Sequence, residues 1–109
     1  DEKTKEFEYA KPGMIGLQSC FAVINSILPA LTDEQLIELF SVNARKIFNL
    51  PSAKIEEGKY AELTIFKRDI KNDFDENTNF SKSNNSAFFN KELKGKVKGI
   101  FVKNKLSIF

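Results

Sequence analysis

The residues of this chain best placed for chemistry are Pro12 and Gly13. Proline presets φ near about −65°, and glycine supplies the positive φ of a type II turn. A short apolar run and Gly16 follow, and then a strongly apolar helix begins. Where a turn feeds a helix N-terminus, backbone N–H groups point outward with partial positive charge. That arrangement suits a carboxylate or an oxyanion, although an ordinary turn before a helix uses the same residues. Side chains offer less. There is no histidine among the 109 residues, so no Ser-His-Asp set, Cys-His pair or His-bound zinc site lies within the chain. The 15 acidic residues are dispersed over helix faces and loops, and no spacing brings them to one point. Cys20, the only cysteine, has no histidine to activate it and reads as core filling in an apolar helix. A lone cysteine forms no internal disulfide and points to a reducing, cytoplasmic compartment. No catalytic residue and no metal ligand is expected within the chain.

The elements that position the turn follow from periodicity. Leu17 to Leu28 is predicted helical, with Leu17, Phe21, Ile24 and Leu28 on one stripe and Cys20, Val23 and Ile27 widening it past half the circumference. A helix that apolar is expected to be covered on most sides, in a body larger than this chain, and Pro29 stops it. Thr32 is the expected N-cap of a second helix, with Gln35 completing a capping box and Leu31 stapling to Leu36. Leu36, Leu39 and Phe40 would form its buried face. Asn43 would cap a third helix over residues 44–48, with Ile47 and Phe48 inward. From Ile55 the period becomes two, Leu63 and Ile65 alternating with Glu62 and Thr64 as in a half-buried strand. The polar stretch from Lys67 to Asn90 is expected to be an ordered excursion pinned by Ile70, Phe74, Phe80, Phe88 and Phe89, against the alternative of a disordered linker. Strand pattern resumes at Val97, and Asn104-Lys105 is the expected hairpin turn before a return strand, Leu106 to Ile108.

Helices precede strands with no βαβ alternation, so the fold class is α+β. With 41% hydrophobic and 29% charged residues the chain is globular in composition. Its net charge of +2 comes from interleaved acids and bases, which gives no argument for nucleic acid. No run approaches the ~18 apolar residues of a membrane span.

Several segments, in order, resemble one family. Asp1-Glu2-Lys3, Glu6-Phe7-Glu8 and Ala10 through Gln18 are similar to a loop of the dihydroorotases, metal-dependent cyclic-amide hydrolases of the amidohydrolase superfamily. In that family a signature Asp-His-Ala-Pro-His ends the last barrel strand and a lysine follows it. With Lys3 as that lysine, Asp1 falls just after the signature. The loop then runs on as Ala-Pro-Phe-Gly-Ile-x-Gly-Leu-Glu, from which this chain departs at Lys11-Pro12 and Gln18. Asn43-Ala44-Arg45-Lys46-Ile47-Phe48-Asn49-Leu50 resembles the family's Asn-Pro-Ala-Arg helical region, with one proline and one glycine replaced. Ile55 to Phe66, with Gly58, Ala61, Glu62 and Leu63, resembles a segment found across the superfamily. Ser81-Lys82-Ser83-Asn84-Asn85-Ser86-Ala87-Phe88 is like a further motif, and Leu93 to Val102 fits the closing strands.

The resemblance implies an α+β fragment: the last helices of a (β/α)8 amidohydrolase barrel, residues 1–54, followed by strands of the small flanking β-sandwich, residues 55–109. Asp1 to Gly16 would be the loop after strand eight, at the end of the barrel that carries chemistry. It implies an enzyme that interconverts dihydroorotate and N-carbamoyl-aspartate in pyrimidine biosynthesis, with zinc as cofactor in the full-length protein. Zinc ligands and the catalytic acid-base would come from upstream, so the fragment alone is expected to be inactive. What carries over is substrate binding at Pro12 and Gly13. The implied partners are dihydroorotate, the rest of the barrel and a second copy in a homodimer, with neither nucleic acid nor membrane. Two alternatives share much of the pattern: a hydantoinase- or allantoinase-like hydrolase, and a non-catalytic relative kept as a binding or scaffolding partner.

Overall fold

The computed structural model describes residues 4–9, 13–52 and 54–109. Among them, a one-turn 3-10 segment, Phe7–Tyr9, precedes helix α1, Cys20–Ile27. Helices α2, Asp33–Ile37, and α3, Asn43–Ile47, are joined by a π turn over Glu38–Val42. Strands β1 (Glu62–Asn72), β2 (Leu93–Val102) and β3 (Lys105–Ile108) form an antiparallel sheet in the order β1-β2-β3.

Helix α1 starts at Cys20 rather than Leu17, because residues 17–19 form a turn in which Ser19 is buried and its hydroxyl donates to the Gly16 carbonyl at 3.3 Å. The face that packs on the sheet is only partly the apolar stripe, whose Phe21 reaches Phe66 of β1. Ala22 and Asn25 are its buried residues, while Leu17, Ile27 and Leu28 are exposed. Cys20 is exposed too, contrary to its reading as core filling. At ~100° per residue it lies roughly opposite Ala22 on the helix.

Asn25 fastens α1 to the sheet. Its Nδ2 donates to the carbonyls of Lys94 (2.9 Å) and Arg68 (3.2 Å), and its Oδ1 accepts from Arg68 Nε at 2.7 Å. Ser26 adds a bond, its hydroxyl accepting from the Lys94 N–H at 2.8 Å. The Arg68 carbonyl is available because the β1–β2 pairing is irregular between Lys67 and Lys71. A bulge leaves backbone groups without a cross-strand partner, and the helix supplies one. Arg68 carries the tie onward to Asp33 at the start of α2, at 3.1 Å. Above this junction Gly95 has φ +104°, and a Cβ there would lie 3.0 Å from both Asn25 Nδ2 and Phe21 Cε1. Phe21 in turn packs edge-on against Phe66 and Phe40, with ring centroids 5.0 and 6.1 Å away.

The capping box forms as expected: Thr32 Oγ1 accepts from the Gln35 N–H at 3.3 Å, and Gln35 Oε1 from the Thr32 N–H at 2.9 Å. Leu36 is fully buried behind it. Asn43, however, caps nothing; its φ of −67° and ψ of −40° are helical, and its N–H reaches back to the Glu38 carbonyl through the π turn. Leu39, Ile47 and Phe48 are exposed rather than inward, and Phe40 is only partly covered, by Phe21. Arg45 closes the helical region by donating to the Pro51 carbonyl at 2.8 Å and pairing with Glu62 of β1 at 3.1 Å.

In the sheet, β1 continues to Asn72, past the residue where the polar stretch was expected to begin. Leu63 is half-buried, but a register shift between Ile65 and Phe66 breaks the alternation and leaves Ile65 exposed. The hairpin turn lies one residue earlier than predicted. Lys103 and Asn104 take φ of +49° and +61°, and Lys105 pairs with Val102. Two successive positive φ values are the signature of a type I′ turn, whose twist matches the flanking strands. The excursion after β1 is ordered around Phe74, which is buried against Phe89 at 4.8 Å, although Phe80 is exposed.

Four hydrophobic residues, Ala22, Leu36, Phe74 and Leu93, make up the fully buried core among the described residues. The radius of gyration is 16.6 Å, against about 13 Å for a compact domain of this length. Replacing Gly95 by alanine tests the junction. The positive φ and the close contacts together should cost about 2 kcal/mol or more in urea denaturation of the intact protein. A change below about 0.5 kcal/mol would mean that α1 and β2 are not tightly apposed there.

Candidate substrate-facing loop

Gly13 has φ +126°, a conformation that a residue with a Cβ rarely adopts. It is exposed, and among the described residues no atom beyond its chain neighbours lies within 4 Å of where its Cβ would stand. Pro12 and Lys3 lie outside the described residues. The turn does not run straight into a helix. Residues 14–19 intervene, and the N-cap Ser19 makes no side-chain capping bond.

What holds this segment is a second loop, distant in sequence. The Asn85 side-chain amide donates to the Gly13 carbonyl, and the Asn85 carbonyl accepts from the Ile15 N–H at 2.9 Å. Gln18 makes the same kind of double contact. Its Nε2 donates to the Thr78 carbonyl at 2.6 Å, and its Oε1 accepts from the Phe80 N–H at 2.9 Å. Between the two segments runs an open groove of about 420 Å³, with Ile15, Leu17 and Gln18 on one side and Phe74, Asn79 and Phe80 on the other.

The supporting loop is itself built from short polar turns. Asp75 Oδ1 accepts from the N–H groups of Asn77 (2.9 Å) and Thr78 (2.8 Å), while Thr78 Oγ1 accepts from the Asp75 N–H at 2.9 Å. These bonds hold the Asp75 carboxyl below its ordinary value, the Thr78 N–H contributing most. Asn79 Nδ2 gathers the carbonyls of Ser81 (3.1 Å) and Ser83 (2.9 Å). Sequence reasoning singled out Gly13 but gave no role to Gln18, Asn85 or Asn25. The signal for Asn85 was its place in the Ser81–Phe88 motif, and for Asn25 its being a lone amide in an apolar helix.

Among the described residues no group of three or more His, Cys, Asp or Glu side chains is placed to hold a metal ion. The donor set does not fit a zinc ion, and no step is assigned through one. No helix among them is long and apolar enough to cross a membrane.

Comparison with known proteins places the loop in context. No family model matches the chain. It is 38% identical over 97% of its length to the dihydroorotase of Clostridium acetobutylicum, of which it covers 26%. It is 33% identical over 96% of its length to that of Sulfurihydrogenibium sp., covering 25% of that protein, and 38% identical over 89% to that of Clostridioides difficile, covering 23%. This chain matches the C-terminal portion of dihydroorotases. It spans about a quarter of the length of these curated relatives. The family resemblance read from the Ala10–Gln18 loop and the later motifs is thereby established, in a small α+β unit with a three-stranded antiparallel sheet.

The lowered Asp75 carboxyl makes the supporting loop sensitive to acid. A carboxyl whose folded value is depressed contributes fully above its unfolded value, and that contribution is lost as pH falls through the folded one. The Thr78 amide resonance should therefore keep its shifted position at pH values where ordinary aspartates are half protonated, and move only at lower pH. A midpoint in the ordinary aspartate range would mean that the 75–78 turn is not formed in solution.

Proposed function

We propose that this chain is the C-terminal part of a zinc-dependent dihydroorotase, which hydrolyses the cyclic amide of dihydroorotate reversibly to N-carbamoyl-aspartate in pyrimidine biosynthesis. The observation that carries this reading is 38% identity to a dihydroorotase over nearly the whole chain. In it, the helices are the last of a (β/α)8 barrel and the strands belong to the flanking β-sandwich. The wide exposure of apolar side chains supports this, since Ile47, Phe48, Ile55 and Tyr60 are all at least 73% exposed and need a cover that the rest of a barrel would supply.

The chain's own contribution is to substrate binding. Pro12 and Gly13 would form one wall of the site, Gly13 letting the main chain approach dihydroorotate with no Cβ between them. In the intact enzyme, zinc would supply Lewis-acid activation of water and of the scissile carbonyl. Residues outside this chain would hold it. The loop of residues 13–18 binds and orients the substrate and carries out no proton transfer.

Two measurements check this. In the intact enzyme Gly13→Val should raise KM for dihydroorotate about tenfold or more, with a smaller effect on thermal stability; an unchanged KM would remove Gly13 from the substrate wall. The chain by itself, supplied with zinc ions and dihydroorotate, should show no turnover. Measurable hydrolysis would overturn the assignment of the catalytic groups to residues outside it.

A further inference from the structure

We propose that Asn85 is a positioning residue for the substrate-facing loop, and that residues 78–85 act as its splint. The inference rests on the reading of Gly13 as part of the substrate wall. Among the described residues beyond its chain neighbours, none packs against the Cβ side of Gly13, and its described contacts are hydrogen bonds made by the adjoining peptide groups. Two such bonds come from one residue. The Asn85 side-chain amide holds the Gly13 carbonyl, and the Asn85 carbonyl holds the Ile15 N–H at 2.9 Å. Acting on both sides of Met14, they fix the plane of the peptide after Gly13 and the direction of the chain beyond it. Gln18 repeats the device three residues on, with its amide spanning the Thr78 carbonyl and the Phe80 N–H.

The splint also lines the groove beside residues 15–18, through Asn79, Phe80 and Ser81. Its own turns are closed internally by Asp75, Thr78 and Asn79, and Phe80 at its tip is 84% exposed. A backbone group that touches a ligand must be held to within a fraction of an ångström, and rigid support from a second layer of residues is what achieves that. Asn85 supplies it from 72 positions away in sequence. The donor is the essential part: an aspartate has the same shape but presents only acceptors to the Gly13 carbonyl.

The test compares Asn85→Ala, Asn85→Asp and Gly13→Val in the intact enzyme. Both Asn85 variants should raise KM for dihydroorotate about three- to tenfold, the range set by losing one net hydrogen bond, with kcat changed less than twofold. Amide hydrogen exchange across residues 13–18 should speed up in both by a similar factor, while exchange in the strands is unchanged. If Asn85→Asp behaves as wild type in KM and exchange, the donor role is overturned. If loop exchange is unaltered in both, the splint is overturned whatever the kinetics. If exchange rises and Gly13→Val raises KM but the Asn85 variants do not, the splint exists and its role in substrate binding is refuted. If no variant, Gly13→Val included, moves KM while exchange rises, it is the substrate-wall reading that fails, and the positioning role falls with it.

Discussion

The arrangement of this chain depends on one side-chain amide in a place where an apolar residue would be expected. Asn25 satisfies a β2 carbonyl, a β1 carbonyl at a break in strand pairing and an arginine, and it is itself buried. Among the described residues, it is the one of α1 that hydrogen-bonds to both β1 and β2, while Phe21 flanks it against Phe66 and Gly95. A buried amide left without partners would cost about 1–3 kcal/mol, so the helix is held where all three bonds can form. Gly95 makes the approach possible, since a Cβ there would press on both Asn25 and Phe21. Arg68 extends the tie to Asp33 and so to the capped start of α2. Helices and sheet are thus joined mainly by a polar junction with an aromatic flank, and among the described residues only four hydrophobic ones are buried.

That economy of core explains the rest of the surface. A unit with so little buried apolar area has most of its hydrophobic side chains facing out, on the α2–α3 side, along β3 and around the groove beside Gly13. In the reading proposed above, those side chains are contacts to further parts of a barrel. The loop of residues 13–18 is different. It is held not by burial but by paired hydrogen bonds to residues 78–85, which gives precise backbone placement at an exposed site.

Much of the architecture was legible in sequence, and the exceptions share a cause. The Thr32–Gln35 capping box depends on neighbours within one turn, and it formed as read. So did the ordering of the excursion around Phe74, whereas the two-residue period expected from Ile55 begins only at Glu62 and breaks after Ile65. Cys20, Ile47 and Phe48 were assigned inward by apolar character, but a helix face is buried only if something lies against it, and here Ala22 and Asn25 took the contact. The hairpin turn moved by one residue because strand register, not local turn preference, decides which residues take positive φ. The bulges in β1 could not be read at all, since they arise from how two strands pair.

By itself, the sequence determined the absence of histidine from this chain, the resemblance to dihydroorotases and the turn glycine at position 13. These are properties of residue type and local spacing. Only the tertiary structure decided which distant groups support that glycine, and which face of α1 meets the sheet. Asn85 and Gly13 are 72 positions apart, and no local pattern links them. They are brought together because the excursion after β1 folds back over the start of the chain, where unpaired backbone groups on each side find their partners on the other.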